Sequence, residues 1–187
     1  MVPGHATVPT DGGLSSAVLI SLVGLPGSGK STVGRQLARR LQLPFIDADQ
    51  WVERQLGCSI REYFEREGEV GFRDFEQQAL ADIAATGPAV IATGGGAVLR
   101  EANRACLREH TRVFYLFATP EEVYRRLRHD QVRPLLQVAD PQTRLRELFA
   151  QRDPLYRETA HEVITIGRPS TAALVNTIAE IVQRQGG

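Results

Sequence analysis

The chain has 187 residues, 42% of them hydrophobic and 24% charged, enough for one domain with a full core. Basic and acidic side chains both number 22, so the formal net charge is zero and no global field favours nucleic acid or an anionic membrane. Two cysteines, Cys58 and Cys106, at no short spacing argue against a disulfide framework or a zinc knuckle, and no run of 18 apolar residues exists to span a bilayer.

Residues 1–16, MVPGHATVPTDGGLSS, lack an apolar stretch and a basic flank and read as a flexible leader, leaving 17–187 as a single domain. VLISLV (18–23) has the continuous apolar character of a buried strand, and STVGRQLARRL follows with Val33, Leu37 and Leu41 on one helical face. FI (45–46) is a second, very short strand. Residues 50–86 read as mostly helical, broken at Gly57 and Gly68 and stopped by TGP at 86–88. AVIAT (89–93) is a strand that runs into Gly94-Gly95-Gly96, and RVFYLF (112–117) is another. Thr119-Pro120-Glu121-Glu122 starts a helix with its cap and first-turn acids in place. Residues 129–140 lose periodicity, helix returns at 141–150, EVITI (162–166) is the last strand and 170–184 a closing helix. Short apolar strands alternating with helices predict an α/β fold, a parallel sheet covered on both faces.

GLPGSGKS (24–31) matches G-x-x-x-x-G-K-[ST] between a strand and a helix, the P-loop context. Its backbone N–H groups converge on phosphate at a helix N-terminus. Nucleotide binding is therefore expected at Gly27, Ser28, Gly29, Lys30, Ser31 and Thr32, with Lys30 on the β and γ phosphates and Ser31 on Mg²⁺. Of 22 basic residues only Lys30 is lysine, a position where arginine is not an equivalent. No N-K-x-D run specifies guanine, and the length fits a compact kinase for a small acceptor.

FIDAD (45–49) puts Asp47 and Asp49 at the C-terminal end of the second strand, the edge where parallel sheets bind ligands. One acid can hold Mg²⁺ through water while the other orients an attacking hydroxyl. The alternative is that one or both cap the helix beginning near Gln50. Arg73 lies on a helix among Glu69, Asp74 and Glu76, where a solvated ion pair is an equal reading. Three successive glycines at 94–96 imply close approach of a ligand or a special dihedral. In the arginine-rich stretch 125–157, two sit at element breaks: Arg133 in the aperiodic segment, a lid of about 129–140, and Arg152 near a helix end set by Pro154.

GLPGSGKSTVGRQLA, FIDAD, GEVGFRDFE, TGGGAV, VRPLL and QRDPLY, in this order and spacing, resemble the shikimate kinase family over nearly the whole chain after the leader. The resemblance implies a three-layer α/β P-loop kinase with a five-stranded parallel sheet ordered 2-3-1-4-5. It implies transfer of the γ-phosphoryl of ATP, with Mg²⁺, to the 3-hydroxyl of shikimate on the route to chorismate. Carried over by position, Asp49 holds the reacting hydroxyl, Arg73 and Arg152 bind the shikimate carboxylate, Gly95 meets the substrate through its backbone, and Glu76 supports the pocket. Lys30, Ser31 and Asp47 serve phosphates and magnesium, with Ser31 and Asp47 as the metal ligands. Arg133 is the lid residue, and Arg126 and Arg168 flank adenine. A cytoplasmic monomer acting on small molecules, with no nucleic acid or membrane partner, is expected. A gluconate-type kinase, an adenylate kinase and a non-catalytic sensor on this fold are the rivals; assaying phosphate transfer with and without shikimate separates them.

Overall fold

The computed structural model describes residues 18–128, 137–167 and 170–185. Its strands are β1 (Leu19–Val23), β2 (Phe45–Asp47), β3 (Ala89–Ala92), β4 (Arg112–Phe117) and β5 (Glu162–Thr165). They form one sheet in the order β2-β3-β1-β4-β5, with every neighbouring pair parallel. This is the expected fold class and strand order. The helices are α1 (Lys30–Leu41), α2 (Ala48–Leu56), α3 (Ile60–Ala84), α4 (Glu101–His110), α5 (Pro120–Leu127), α6 (Pro141–Thr159) and α7 (Thr171–Gln185).

Every residue of β1 and β3 is buried, which requires cover on both faces and explains their unbroken apolar sequences. Ile20, Leu22, Leu37, Phe114 and Leu116 have no exposed surface, and each such side chain contributes about 1.5–3 kcal/mol by leaving water. Helices α1 and α7 pack on each other, while α3, α4, α6 and α5 form a second continuous set of contacts. The register Leu22↔Ala92 lets Thr93, just past β3, donate its backbone N–H and its hydroxyl to the Leu22 carbonyl at 3.2 and 2.8 Å. Because all strands run the same way, residues 24–29, 47–49, 93–96 and 166–167 all emerge at one edge of the sheet. Among the described residues, no helix is long and apolar enough to cross a membrane.

Both expected helix breaks occur. Gly57 ends α2 at φ 70°, and Gly68, at φ 76° and ψ 178°, divides α3 into two helical segments. Thr119 and Glu122 form a reciprocal capping box with Pro120 at the first helical position of α5. Two readings need correction. Helix α4 has no counterpart in the sequence reading, because EANRACLREH carries too few apolar residues to show a stripe; its buried residues are Asn103 and Leu107. Helix α6 does not stop at Pro154 but continues to Thr159, so Arg152 stands within the helix and not near its end. The lid segment falls largely on 129–136, outside the described residues, as does the whole leader, residues 1–16.

Candidate active site

The loop leaving β1 folds as its glycines allow. Gly27 and Gly29 have φ of 82° and 92°, left-handed values that other residues rarely hold, and a Cβ on Gly27 would strike Leu127 of α5. Gly29 precedes α1 without any side-chain cap, so the first N–H groups of that helix have no side-chain acceptor there, as an anion site requires. Lys30 is buried, and its Nζ donates to the carbonyls of Gly24 and Leu25 at 2.8 and 2.9 Å. Ser31 Oγ donates to Asp47 Oδ2 at 3.0 Å.

Asp47 is the helix cap. Its Oδ1 accepts from the backbone N–H groups of Asp49 and Gln50 at 3.1 and 3.2 Å, so one carboxylate starts α2 and also holds Ser31. Asp49 does not cap: it sits in the first turn of α2 with its side chain in the cleft. Crowding by protein atoms pushes its pKa up to about 6, reinforced by the Asp47 charge, opposed by Lys30, and raised further by Glu76 and Glu53. Water still reaches the carboxylate through the cleft mouth and limits what burial alone can do.

The three glycines after β3 matter by contact and not by dihedral: Gly95 meets a rigid ring, while Gly94 and Gly96 meet the ends of side chains that a Cβ would displace. A Cβ on Gly94 would lie 2.7 Å from Asp49 Oδ1 and 3.4 Å from Glu76 Oε2. One on Gly95 would lie 2.8 Å from the Pro26 ring and 3.2 Å from Arg152 Nη1, and one on Gly96 would overlap the Arg73 guanidinium. The turn is thus the surface against which an acid, the P-loop and two arginines all press.

Arg73 and Glu76, three residues apart on α3, form a largely buried pair at 2.7 Å, with the guanidinium 5.1 Å above the Phe72 ring. The ion-pair reading of Arg73 therefore holds in part, though the pair is not solvated. Arg73 Nε has no hydrogen-bond partner; its nearest acid, Glu69, is at 3.8 Å. Arg152 Nε is likewise buried and without a hydrogen bond. Two guanidinium groups beside one glycine turn, each with a buried Nε lacking a hydrogen bond, suit a planar anion such as a carboxylate.

A cavity of about 240 Å³ is floored by the P-loop and walled by Asp47, Asp49, Thr93, Gly94 and Gly95. A second, of about 140 Å³, lies beyond Gly29 between Ser28, Thr32 and Arg126 and the segment around Ile166 and Leu174. The structure therefore gathers Lys30, Ser31, Thr32, Asp47, Asp49 and Gly95 in one cleft, brings Arg73 and Arg152 to it from behind the turn, and sets Arg126 at the neighbouring hollow. Arg133 and Arg168 lie outside the described residues. Pro26 and Thr93 were not singled out in the sequence; their place in a P-loop and at a strand's C-terminal end was the available signal. Among the described residues no three His, Cys, Asp or Glu side chains cluster as a metal cage. The adjacent oxygens of Ser31 and Asp47 do fit a hard cation that takes its remaining ligands from water and phosphate, as Mg²⁺ does.

A parallel sheet of this order, a complete P-loop and an acid-lined acceptor cleft define a P-loop kinase for small molecules. Residues 26–183 match the family model described as Shikimate kinase. The chain is 57% identical over 170 residues to the shikimate kinase of Paracidovorax citrulli (strain AAC00-1), covering 89% of this chain and 93% of that protein. It is 55% identical over 159 residues to that of Ralstonia nicotianae (strain ATCC BAA-1114 / GMI1000), covering 85% and 84%. Among solved structures it resembles the shikimate kinase from Acinetobacter baumannii in complex with shikimate, with a TM-score of 0.85, 41% identity and coverage of 91% and 95%. The chain belongs to the shikimate kinase family.

Proposed function

We propose that this chain transfers the γ-phosphoryl group of ATP to the 3-hydroxyl of shikimate, yielding shikimate 3-phosphate and ADP. The observation that carries this reading is the pair of guanidinium groups of Arg73 and Arg152 at a glycine turn that Asp49 and Pro26 of the P-loop also meet. The shikimate-bound relative supports the choice of acceptor.

Arg73 and Arg152 take the acceptor carboxylate, and the Gly95 backbone meets the ring. The carboxylate of Asp49, its pKa raised to about 6, accepts the hydrogen bond of the attacking hydroxyl and then its proton. The hydroxyl oxygen forms the new bond to Pγ as the bond from Pγ to the β–γ bridging oxygen breaks, and the electron pair leaves with ADP. Lys30 stabilises charge on the β and γ phosphates, and the N–H groups at the start of α1 hold them in line. Ser31 and Asp47 would hold Mg²⁺, which supplies charge neutralisation between the phosphates when bound. Arg126 borders the nucleoside side; the roles of Arg133 and Arg168 rest on the family resemblance. Unpaired Cys58 and Cys106 suit a cytoplasmic enzyme.

The test is ADP release from Mg·ATP by the purified chain, with and without shikimate, together with ³¹P NMR of the product. Shikimate-dependent ADP release with a new phosphate monoester resonance is expected. ADP release indifferent to shikimate would overturn the assignment.

A further inference from the structure

Helix α6 presents two side chains of the QRDPLY motif that the reaction above leaves without a role. Tyr156 is fully buried, and its hydroxyl donates to the carbonyl of Gly95 at 2.6 Å. Arg152 stands one helical turn earlier on the same face, where its charge favours the ionised form of that hydroxyl. Asp153 accepts the Tyr115 hydroxyl of β4 at 2.8 Å and the Arg157 Nε at 3.0 and 3.1 Å. The Tyr115 and Tyr156 rings lie 5.0 Å apart, so this part of α6 is clamped to the sheet on the Asp153 side.

With the ring fixed by packing, the Tyr156 oxygen has one direction in which to donate, and it donates to the turn. Gly95 is also where the P-loop touches the acceptor side, since Pro26 and Arg152 Nη1 both crowd the position a Cβ would take there. We propose that Tyr156 is a positioning residue for the acceptor: its hydroxyl locks the Gly95 carbonyl and the Arg152 guanidinium into one register, so that the arginine edge and the glycine backbone meet the substrate as a single preformed surface. Arg152, whose Nη1 lies at the Gly95 turn, then meets the substrate carboxylate from a fixed origin. Burial raises the Tyr156 pKa to about 12 although Arg152 and Arg73 pull it down, so the hydroxyl keeps the proton it donates throughout the working pH range.

The inference rests on the proposed acceptor role of Arg152, and wild-type turnover of shikimate tests that reading first. Tyr156→Phe keeps the ring and removes only the hydroxyl. Its shikimate KM should rise roughly three- to tenfold while the ATP KM stays within twofold, the worth of one hydrogen bond expressed on one substrate. The same substitution made in Arg152→Ala should raise the shikimate KM by a smaller factor than in the wild type, because its target is gone. An unchanged shikimate KM, equal rises in both KM values, or an undiminished factor in the Arg152→Ala background would overturn the proposal. Should Tyr156→Phe fail to fold, 3-fluorotyrosine at position 156 keeps the hydroxyl, and its ¹⁹F line should shift on saturation with shikimate. A line that shikimate leaves in place would equally contradict it.

Discussion

The two halves of the cleft hold their charged side chains differently. On the phosphate side, Lys30 is held by two loop carbonyls, Ser31 by Asp47, and Asp47 by two N–H groups of α2. On the acceptor side, two buried guanidinium nitrogens have no hydrogen-bond partner and a carboxylate carries a raised pKa. On the phosphate half the charged side chains are partnered within the protein, although the Ser28 hydroxyl has no hydrogen-bond partner and the first turn of α1 no side-chain cap. The acceptor half holds unspent interaction free energy, which only a ligand of the right charge and shape relieves. Specificity should therefore lie where the free protein is least satisfied.

That contrast breaks first at the residues where chemistry occurs. Asp49→Asn keeps the size and one acceptor oxygen but loses the base, so kcat should fall about 10²–10⁴-fold with little change in shikimate affinity. Lys30→Met should lower kcat by about 10²–10³-fold in a chain that still melts cooperatively, read by steady-state assay beside calorimetry. Near-normal turnover in either variant would remove that residue from the mechanism.

Recognition is the next largest effect. Arg73→Ala or Arg152→Ala should weaken shikimate by about 2–5 kcal/mol while ADP binding stays near normal. A merely solvated arginine would cost under about 1 kcal/mol. The glycine turn sharpens the division. Gly96→Ala meets only the Arg73 guanidinium and should raise the shikimate KM alone. Gly95→Ala meets the rigid Pro26 ring as well and should disturb both substrates.

Smaller effects follow from the charge on Asp49. Its active form is the anion, so kcat/KM for shikimate should fall tenfold per unit below about pH 6, and this acid limb should be missing in Asp49→Asn. The linkage to stability has the opposite sense. A folded-state pKa above the ordinary value of 3.8 means the native protein binds the proton more tightly, so this group's contribution is present in acid and is lost as pH rises through about 6. Asp49→Asn should then be more stable at pH 7, by about 1 kcal/mol or less because solvent reaches the site, a rise of roughly 2–4 °C at most in Tm. The smallest change should come from exposed Arg126, whose replacement by alanine should alter the ATP KM a few-fold at most and leave shikimate untouched.

What could be read in advance follows the same division. Buried strands and the P-loop are written in local pattern, because a fully covered strand must be apolar and a phosphate cradle needs its glycines in order. The strand order came from resemblance to a family, since periodicity says nothing about which strands become neighbours. Helix α4 escaped because only one side of it meets the protein, through Asn103 and Leu107. Pro154 misled because its local cost, about 3 kcal/mol in a helix interior, is outweighed by α6 contacts from Tyr156, Asp153 and Arg157 that are far apart in sequence from their partners. The pair at 47 and 49 was legible as a pair, but which acid caps α2 depends on where that helix starts, and a two-residue shift exchanges the two. Tyr156 was visible only as part of a motif, for its partner Gly95 lies 61 positions away.

The most direct test of the division between a phosphate half whose charged side chains are fully partnered and an acceptor half whose arginines are only partly so is calorimetric titration of Arg73→Ala with shikimate and, separately, with Mg·ADP. Shikimate affinity lower by roughly 30-fold or more, beside Mg·ADP affinity within about twofold of wild type, is the predicted result. Equal losses for both ligands, or shikimate binding that survives unchanged, would contradict it.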